Sequence, residues 1–267
     1  MNKAEFLATH PVFTYEEFIN YLSASVLLNV DTAKQLLNYY LKSGRILRIR
    51  RGLYAVVPPG NTPENAPVDA FLVASHVTKD AVLAYHTALE FHGKAYSVFY
   101  EFTSLSKTKI RPFTFRGTRF RGVPFPEELI KKGQENYGVV VMDRQGLDVR
   151  VTGLERTMVD VMDKPVLGGG WEEIWRSLEA VDFFDLERLI DYALILNKAT
   201  TIARVGFYLE QHQEALMVTD KHLAELRKHK PKSPHYMERG RRTGNLVTSW
   251  NLIVPEAVME RSWEEPL

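Results

Sequence analysis

The chain has 267 residues, 34 Lys+Arg against 33 Asp+Glu for a formal net charge of +1, 45% hydrophobic residues and no cysteine. At about 100–200 residues per domain this accommodates one or two domains, and the composition is that of a soluble globular protein, which excludes wholesale disorder. The missing cysteines exclude disulfides, cysteine-ligated zinc, iron–sulfur clusters and thiol catalysis.

Taken along the chain, Met1 to Val12 holds Lys3 and Glu5 and no long apolar stretch, so a signal peptide is not expected. Nor does any run of about 18 apolar residues occur that would span a bilayer. A cytoplasmic protein is the expectation. Thr14-Tyr15-Glu16-Glu17 matches a capping box, flanked by Phe13 and Phe18 at staple positions, and predicts a helix from Tyr15 to about Ser23. Asp31 is placed to cap a second helix. Within it Ala33, Leu36, Leu37, Tyr40 and Leu41 recur at helical spacing, and Gly44 ends it. Its polar face shows Thr32, Lys34, Gln35, Asn38, Tyr39 and Lys42. Two β-prone runs around Arg51-Gly52 then form a hairpin carrying Arg45, Arg48, Arg50 and Arg51. Helix, short turn, helix and basic hairpin is the order of a winged helix-turn-helix, whose second helix fits the major groove.

The near-zero total charge hides segregation. Residues 1–60 are net +3, 101–132 net +5, 133–220 net −8 and 221–242 net +6. Charges more than about 8–10 Å apart in solvent are largely screened, so a binding surface follows the local sum.

A Pro/Gly-rich stretch from Val57 to Pro63 predicts a linker. The expected domains are therefore a winged helix over 1–60, a larger domain over 66–242 and a tail over 243–267. Beyond the linker, Asp80 to His92 reads as a helix closed by Gly93, and 98–102, 113–115 and 138–142 read as strands. Thr152-Gly153-Leu154-Glu155 reads as a second capping box, opening a helix that Pro165 stops. Gly168-Gly169-Gly170 reads as a flexible connection. Helical patterns follow over 171–181, 185–196, 201–212 and about 220–230. Strands first and helices afterwards predict an α+β domain.

Candidate chemistry is sparse. His86, Glu90 and His92 do not share one helix face, because His86 and His92 are six residues apart, so no metal site is expected. Glu155, Asp160 and Asp163 could hold Mg²⁺, but Arg156 stands four residues before Asp160 and competes as an intrahelical partner. No phosphate loop or nucleophile elbow occurs. Lys107 to Arg121 contains six basic residues and no acidic one, interleaved with Phe113, Phe115 and Phe120. The favoured reading is a hairpin turning near Gly117 with its phenylalanines inward; the other is a strand of phosphate contacts and stacking rings. The basic stretch Lys221–Arg242 reads as a solvated face, with Arg239, Arg241 and Arg242 available for phosphate.

Four stretches together resemble the AbiEi-type antitoxins of bacterial abortive-infection, type IV toxin–antitoxin systems. They are Leu41-x-x-Gly44-x-Ile46-x-Arg48-x-x-Arg51-Gly52-Leu53-Tyr54-Ala55; Tyr85-His86-Thr87-Ala88-Leu89-Glu90-Phe91-His92-Gly93; Val151-Thr152-Gly153-Leu154-Glu155-Arg156-Thr157-Met158-Val159-Asp160; and Ala203-Arg204-Val205-Gly206-Phe207-Tyr208-Leu209-Glu210. The resemblance implies a winged helix that binds inverted repeats at its own promoter. It implies a second domain that counteracts a nucleotidyltransferase-like toxin without a stable complex. It makes Glu155, Arg156 and Asp160 a candidate antitoxin surface. From the residues themselves no cofactor, no metal and no membrane partner is expected. The expected protein is a repressor and antitoxin, not an enzyme. The rivals are a Mg-dependent nucleic-acid enzyme targeted by a winged helix, and a repressor gated by a small molecule.

Overall fold

The computed structural model describes residues 3–25, 30–238, 240, 243–261 and 263. It forms two compact units, one of Met1–Leu83, Tyr100–Val123 and Val141–Arg150, the other of Ala84–Phe99, Pro124–Val140 and Val151–Leu267. The first unit runs past the Pro/Gly-rich stretch, so the amino-terminal module shares a compact unit with a β-sheet.

That module is built from α1 (Lys3–Thr9), β1 (Val12–Thr14), α2 (Tyr15–Ser25), α3 (Val30–Lys42), β2 (Ile46–Arg50) and β3 (Leu53–Val56). The capping box forms: Thr14 N–H donates to Glu17 Oε2 at 2.6 Å, and Glu17 N–H donates to Thr14 Oγ1 at 3.2 Å. Phe6, Phe13, Phe18, Leu22, Ala33, Leu37, Tyr40, Ile46 and Tyr54 close one apolar cluster. The predicted stripe of α3 thus faces inward. Asp31 is not the cap of α3, however, since the helix already includes Val30. Three strands make an antiparallel sheet in the order β1-β3-β2. Neither α1 nor β1 is predicted by pattern. A three-residue strand has too little sequence to show alternation, and β1 exists because the edge of β3 offers it a ladder.

The rest of the first unit opens with α4 (Ala70–Ser75), capped by Asp69, which accepts from the N–H groups of Phe71 and Leu72. The strands are β4 (Val82–Leu83), β5 (Glu101–Leu105), β6 (Phe113–Phe115), β7 (Thr118–Val123), β8 (Val139–Arg144) and β9 (Leu147–Thr152), of which Val139–Val140 and Val151–Thr152 are counted with the second unit. They form one sheet in the order β6-β7-β5-β4-β9-β8, with β5 and β7 parallel. The predicted helix over 80–92 is corrected here. Val82 and Leu83 pair antiparallel with β5, and Tyr85 sits at φ 59, which a helix interior does not accommodate.

The second unit contains α5 (His86–Phe91), α6 (Glu127–Lys132), α7 (Leu154–Asp163), a 3₁₀ turn (Pro165–Gly168), α8 (Trp171–Glu179), α9 (Leu186–Leu196), α10 (Ala199–Gln211) and α11 (Asp220–Arg227). Helices from α7 to α11 fall close to the predicted positions, and α7 to α10 each bury six or more residues. The capping box at 152–155 does not form. Gly153 is the N-cap without a side-chain bond, and Thr152 Oγ1 instead pairs with Thr157 Oγ1 at 2.7 Å. Two of the three glycines are packed: a Cβ on Gly168 would lie within 3 Å of Ile174, and one on Gly169, at φ +90, within 3 Å of Phe99 and Glu173. The described residues of the expected tail are folded as well. β10 (His235–Tyr236), β11 (Asn245–Val247) and β12 (Leu252–Val254) form a three-stranded sheet, followed by α12 (Glu256–Met259). Trp250 is fully buried against α10, where a Cβ on Gly206 would come within 2.2 Å of its ring. The fold is α+β, an amino-terminal winged helix followed by a larger α+β region, with this late sheet added after the helices.

Candidate nucleic-acid interface

The amphipathic division of α3 creates the candidate interface. Its apolar stripe is spent on the cluster beneath, which leaves Thr32, Lys34, Gln35, Asn38, Tyr39 and Lys42 exposed along the opposite face. Tyr39 is 57% exposed, while Tyr40 beside it is buried. Lys34 Nζ lies 3.4 Å from Asp31, a surface pair worth at most about 1 kcal/mol and easily exchanged for a phosphate. Residues 26–29, between α2 and α3, lie outside those described.

The hairpin of β2 and β3 presents Arg45, Arg48 and Arg51 to solvent. Arg48 Nε donates to the Arg50 carbonyl at 3.4 Å, and the Arg45 guanidinium lies 5.8 Å from the Tyr40 ring centroid. Gly52, at φ +82, makes the turn. Arg50 differs from its neighbours. It is half-buried, donates from Nη2 to the Val77 carbonyl at 2.6 Å and stacks 4.8 Å from the Phe113 centroid. Burial pulls its guanidinium below the ordinary arginine value. The predicted set of ten therefore gathers as nine exposed side chains and one attached to the body of its own unit. Val77 and Phe113 carry no charge and lie far away in sequence, so nothing in the pattern pointed to that attachment.

Several residues of the remaining basic stretches are engaged otherwise. Lys107–Arg121 includes the β6–β7 hairpin, with Phe120 buried and Phe113 and Phe115 half-buried, so these rings are not a stacking platform. Arg116 binds the carbonyls of Pro63 and Ala66, and Arg121 pairs with Glu101 at 3.0 Å. In the other unit Arg227 pairs with Glu210, and Lys230 Nζ donates to the carbonyls of Thr248 and Ser249 at 3.1 and 2.8 Å. Arg239, Arg241 and Arg242 lie outside the described residues.

Of the surface expected at Glu155, Arg156 and Asp160, the structure buries Arg156 and Asp160. Arg156 and Asp160 are each 1% exposed and pair at 3.3 Å, as their spacing predicts. Arg156 Nη1 also donates to the carbonyls of Glu135 and Tyr137, and Asp160 accepts from Tyr192 Oη at 2.6 Å. Burial lifts Asp160 above the ordinary carboxylate range in spite of these partners. Glu155 is half-buried and accepts from the Asp185 N–H. These groups join helices and loops of one core.

His86 is buried between two carboxylates, Nε2 at 3.0 Å from Glu173 and Nδ1 at 3.8 Å from Glu90, with Phe99 stacked at 3.8 Å. Burial raises Glu90. For Glu173 burial is outweighed by donors, chiefly Ser97 and His86, which hold it below the usual range. His92 faces elsewhere, 2.8 Å from the Thr152 carbonyl. Among the described residues no group of three or more His, Cys, Asp or Glu side chains is arranged to hold a metal ion. No helix among them is long and apolar enough to cross a membrane.

Three comparisons bear on this geometry. The chain is similar in fold to the crystal structure of the RV2827C protein from Mycobacterium tuberculosis, with a TM-score of 0.61 over 98% of this chain and 93% of that one. Their identity is 17%, so the likeness is one of fold alone. Among curated proteins no match to the chain is found. Residues 3–57 match the family described as transcriptional regulator, AbiEi antitoxin, and this stretch is the module that carries the exposed face of α3 and the wing. The resemblance to the AbiEi-type antitoxins therefore holds for the amino-terminal module.

Proposed function

We propose that the chain is a sequence-specific DNA-binding repressor that controls its own promoter through α3 and the wing, and that its second unit counteracts a nucleotidyltransferase-like toxin without forming a stable complex with it. The observation that carries the reading is the exposed face of α3. Gln35 and Asn38 bear amides that pair bidentately with adenine in the major groove. Lys34 and Tyr39 flank them, and Lys42, Arg45, Arg48 and Arg51 supply backbone contacts that fix register. An antitoxin that acts without stable binding needs no conspicuous docking face, which agrees with the burial of Arg156 and Asp160. The enzymatic alternative loses support for the same reason, since Asp160 is committed to Arg156 and Tyr192.

The test is a reporter fused to the chain's own upstream region, together with co-expression of the neighbouring reading frame. Repression lost with Gln35→Ala or Asn38→Ala, and growth restored to toxin-expressing cells, is the expected result. Unchanged reporter output with the protein present contradicts it.

A second reading adds a small-molecule gate. A cleft of about 400 Å³ in the first unit is lined by Thr14, Glu17, Asn20, Arg51, His76, Lys79 and Arg150. A ligand there would touch the wing turn and the start of α2 together. Metabolites that raise the melting temperature and shift operator affinity support the gate.

A further inference from the structure

We propose that Arg50 is a positioning residue of the wing and not one of its phosphate contacts: anchored on the Val77 carbonyl and the Phe113 ring, it fixes the hairpin so that Arg48 and Arg51 face the DNA backbone. The inference rests on the DNA-binding reading for its purpose, but its geometry stands without DNA.

The strand itself supplies the first argument. Period-2 alternation along β2 would send Arg48 and Arg50 to the same side, with Ile49 buried between them. The register with β3 shifts between Arg48 and Arg50, and such a bulge re-aims the side chain that follows it. Arg48 stays in solvent while Arg50 turns inward to a 2.6 Å hydrogen bond with Val77 O and a 4.8 Å stack on Phe113.

What Arg50 holds is itself tightly bonded. Val77, Ala81 and Ile110 pack as a small apolar cluster with Phe113 against it. Thr78 Oγ1 donates to Ser106 Oγ at 3.0 Å, and Asp80 accepts from Ser106 Oγ at 2.7 Å and from the Lys107 N–H at 2.6 Å. The same segment grips α2: Lys79 meets Glu16 at 2.5 Å, and His76 Nε2 lies 3.7 Å from Glu17. Residues 76–80 therefore hold both the start of α2 and the end of β2, and Arg50 is the link to the wing. A guanidinium half-buried under a ring would have to give up that contact to reach a phosphate.

Two measurements on the full chain test this. Affinity for a duplex of the chain's own upstream region is titrated against salt for the wild type, Arg50→Ala, Arg51→Ala and Phe113→Leu. Arg51→Ala should shallow the log–log salt slope by about one unit for one phosphate lost. Arg50→Ala and Phe113→Leu should weaken binding on the order of tenfold with the wild-type slope retained. Hydrogen exchange without DNA is the second readout: in both variants amides of residues 46–56 should exchange faster while those of α3 keep their rates. A slope reduced by Arg50→Ala as much as by Arg51→Ala, or unchanged wing exchange, overturns the proposal. If Arg50→Ala unfolds the unit, Phe113→Leu decides, because it leaves every charge in place. Failure of the wild type to bind DNA removes the functional reading, and the exchange result still judges the anchor.

Discussion

Arg156 and Asp160 stand one turn apart on α7 and close an ion pair at 3.3 Å with both side chains out of solvent. Truncating one partner of such a pair strands the other charge in a dry core. Asp160→Ala is expected to cost about 3–5 kcal/mol, measured as a lowered urea midpoint. The paired replacement Arg156→Met with Asp160→Leu should cost less, because it leaves no uncompensated charge. Equal losses would mean that Arg156 depends mainly on the Glu135 and Tyr137 carbonyls. Loss of toxin protection in Asp160→Ala would accordingly report a damaged core and not a damaged docking face.

Gly206 and Trp250 make a second test. The indole occupies the space that a methyl group would need, and its Nε1 donates to Glu210 Oε2 at 2.8 Å. Gly206→Ala should destabilise the protein by about 1–3 kcal/mol by overpacking, against the usual helix preference for alanine. Tryptophan fluorescence should shift red as Trp250 is pushed out. A stabilised variant with an unchanged spectrum would contradict this packing.

Asp80 makes the pH prediction. Burial alone would raise its carboxyl, but donors from Lys107, Ser106 and Thr78 outweigh it and hold it below the ordinary carboxylate range. A depressed folded value contributes stability that is present above the unfolded value of about 3.9 and is lost as pH falls through the folded value. The wild type should therefore lose stability below about pH 4 more steeply than Asp80→Asn, and the two should converge in acid. Parallel curves in a denaturant series would contradict the assignment.

The winged helix was legible in sequence because each of its signals is local. The capping box at Thr14 and Glu17, the stripe from Ala33 to Leu41 and the turn at Gly52 each specify geometry within a few residues. The long helices α7 to α11 were legible for the same reason. What escaped depends on distant partners. β1 and β4 exist only through the strands they pair with, and Tyr85 breaks a helix that the apolar spacing around it suggests. At the candidate site the polar face of α3 could be read directly, whereas the inward turn of Arg50 is decided by Val77 and Phe113, 27 residues and more away. Arg156 and Asp160 were recognised as a pair, but their spacing says nothing of whether water reaches them.

The central claim, that Gln35 and Asn38 read base edges, is tested most directly by a competition titration. It uses a duplex of the chain's upstream inverted repeats against the same duplex with its sequence scrambled. Each of Gln35→Ala and Asn38→Ala should lose about 1–3 kcal/mol on the specific duplex and almost nothing on the scrambled one. Equal losses on both duplexes, or none on either, would contradict the claim.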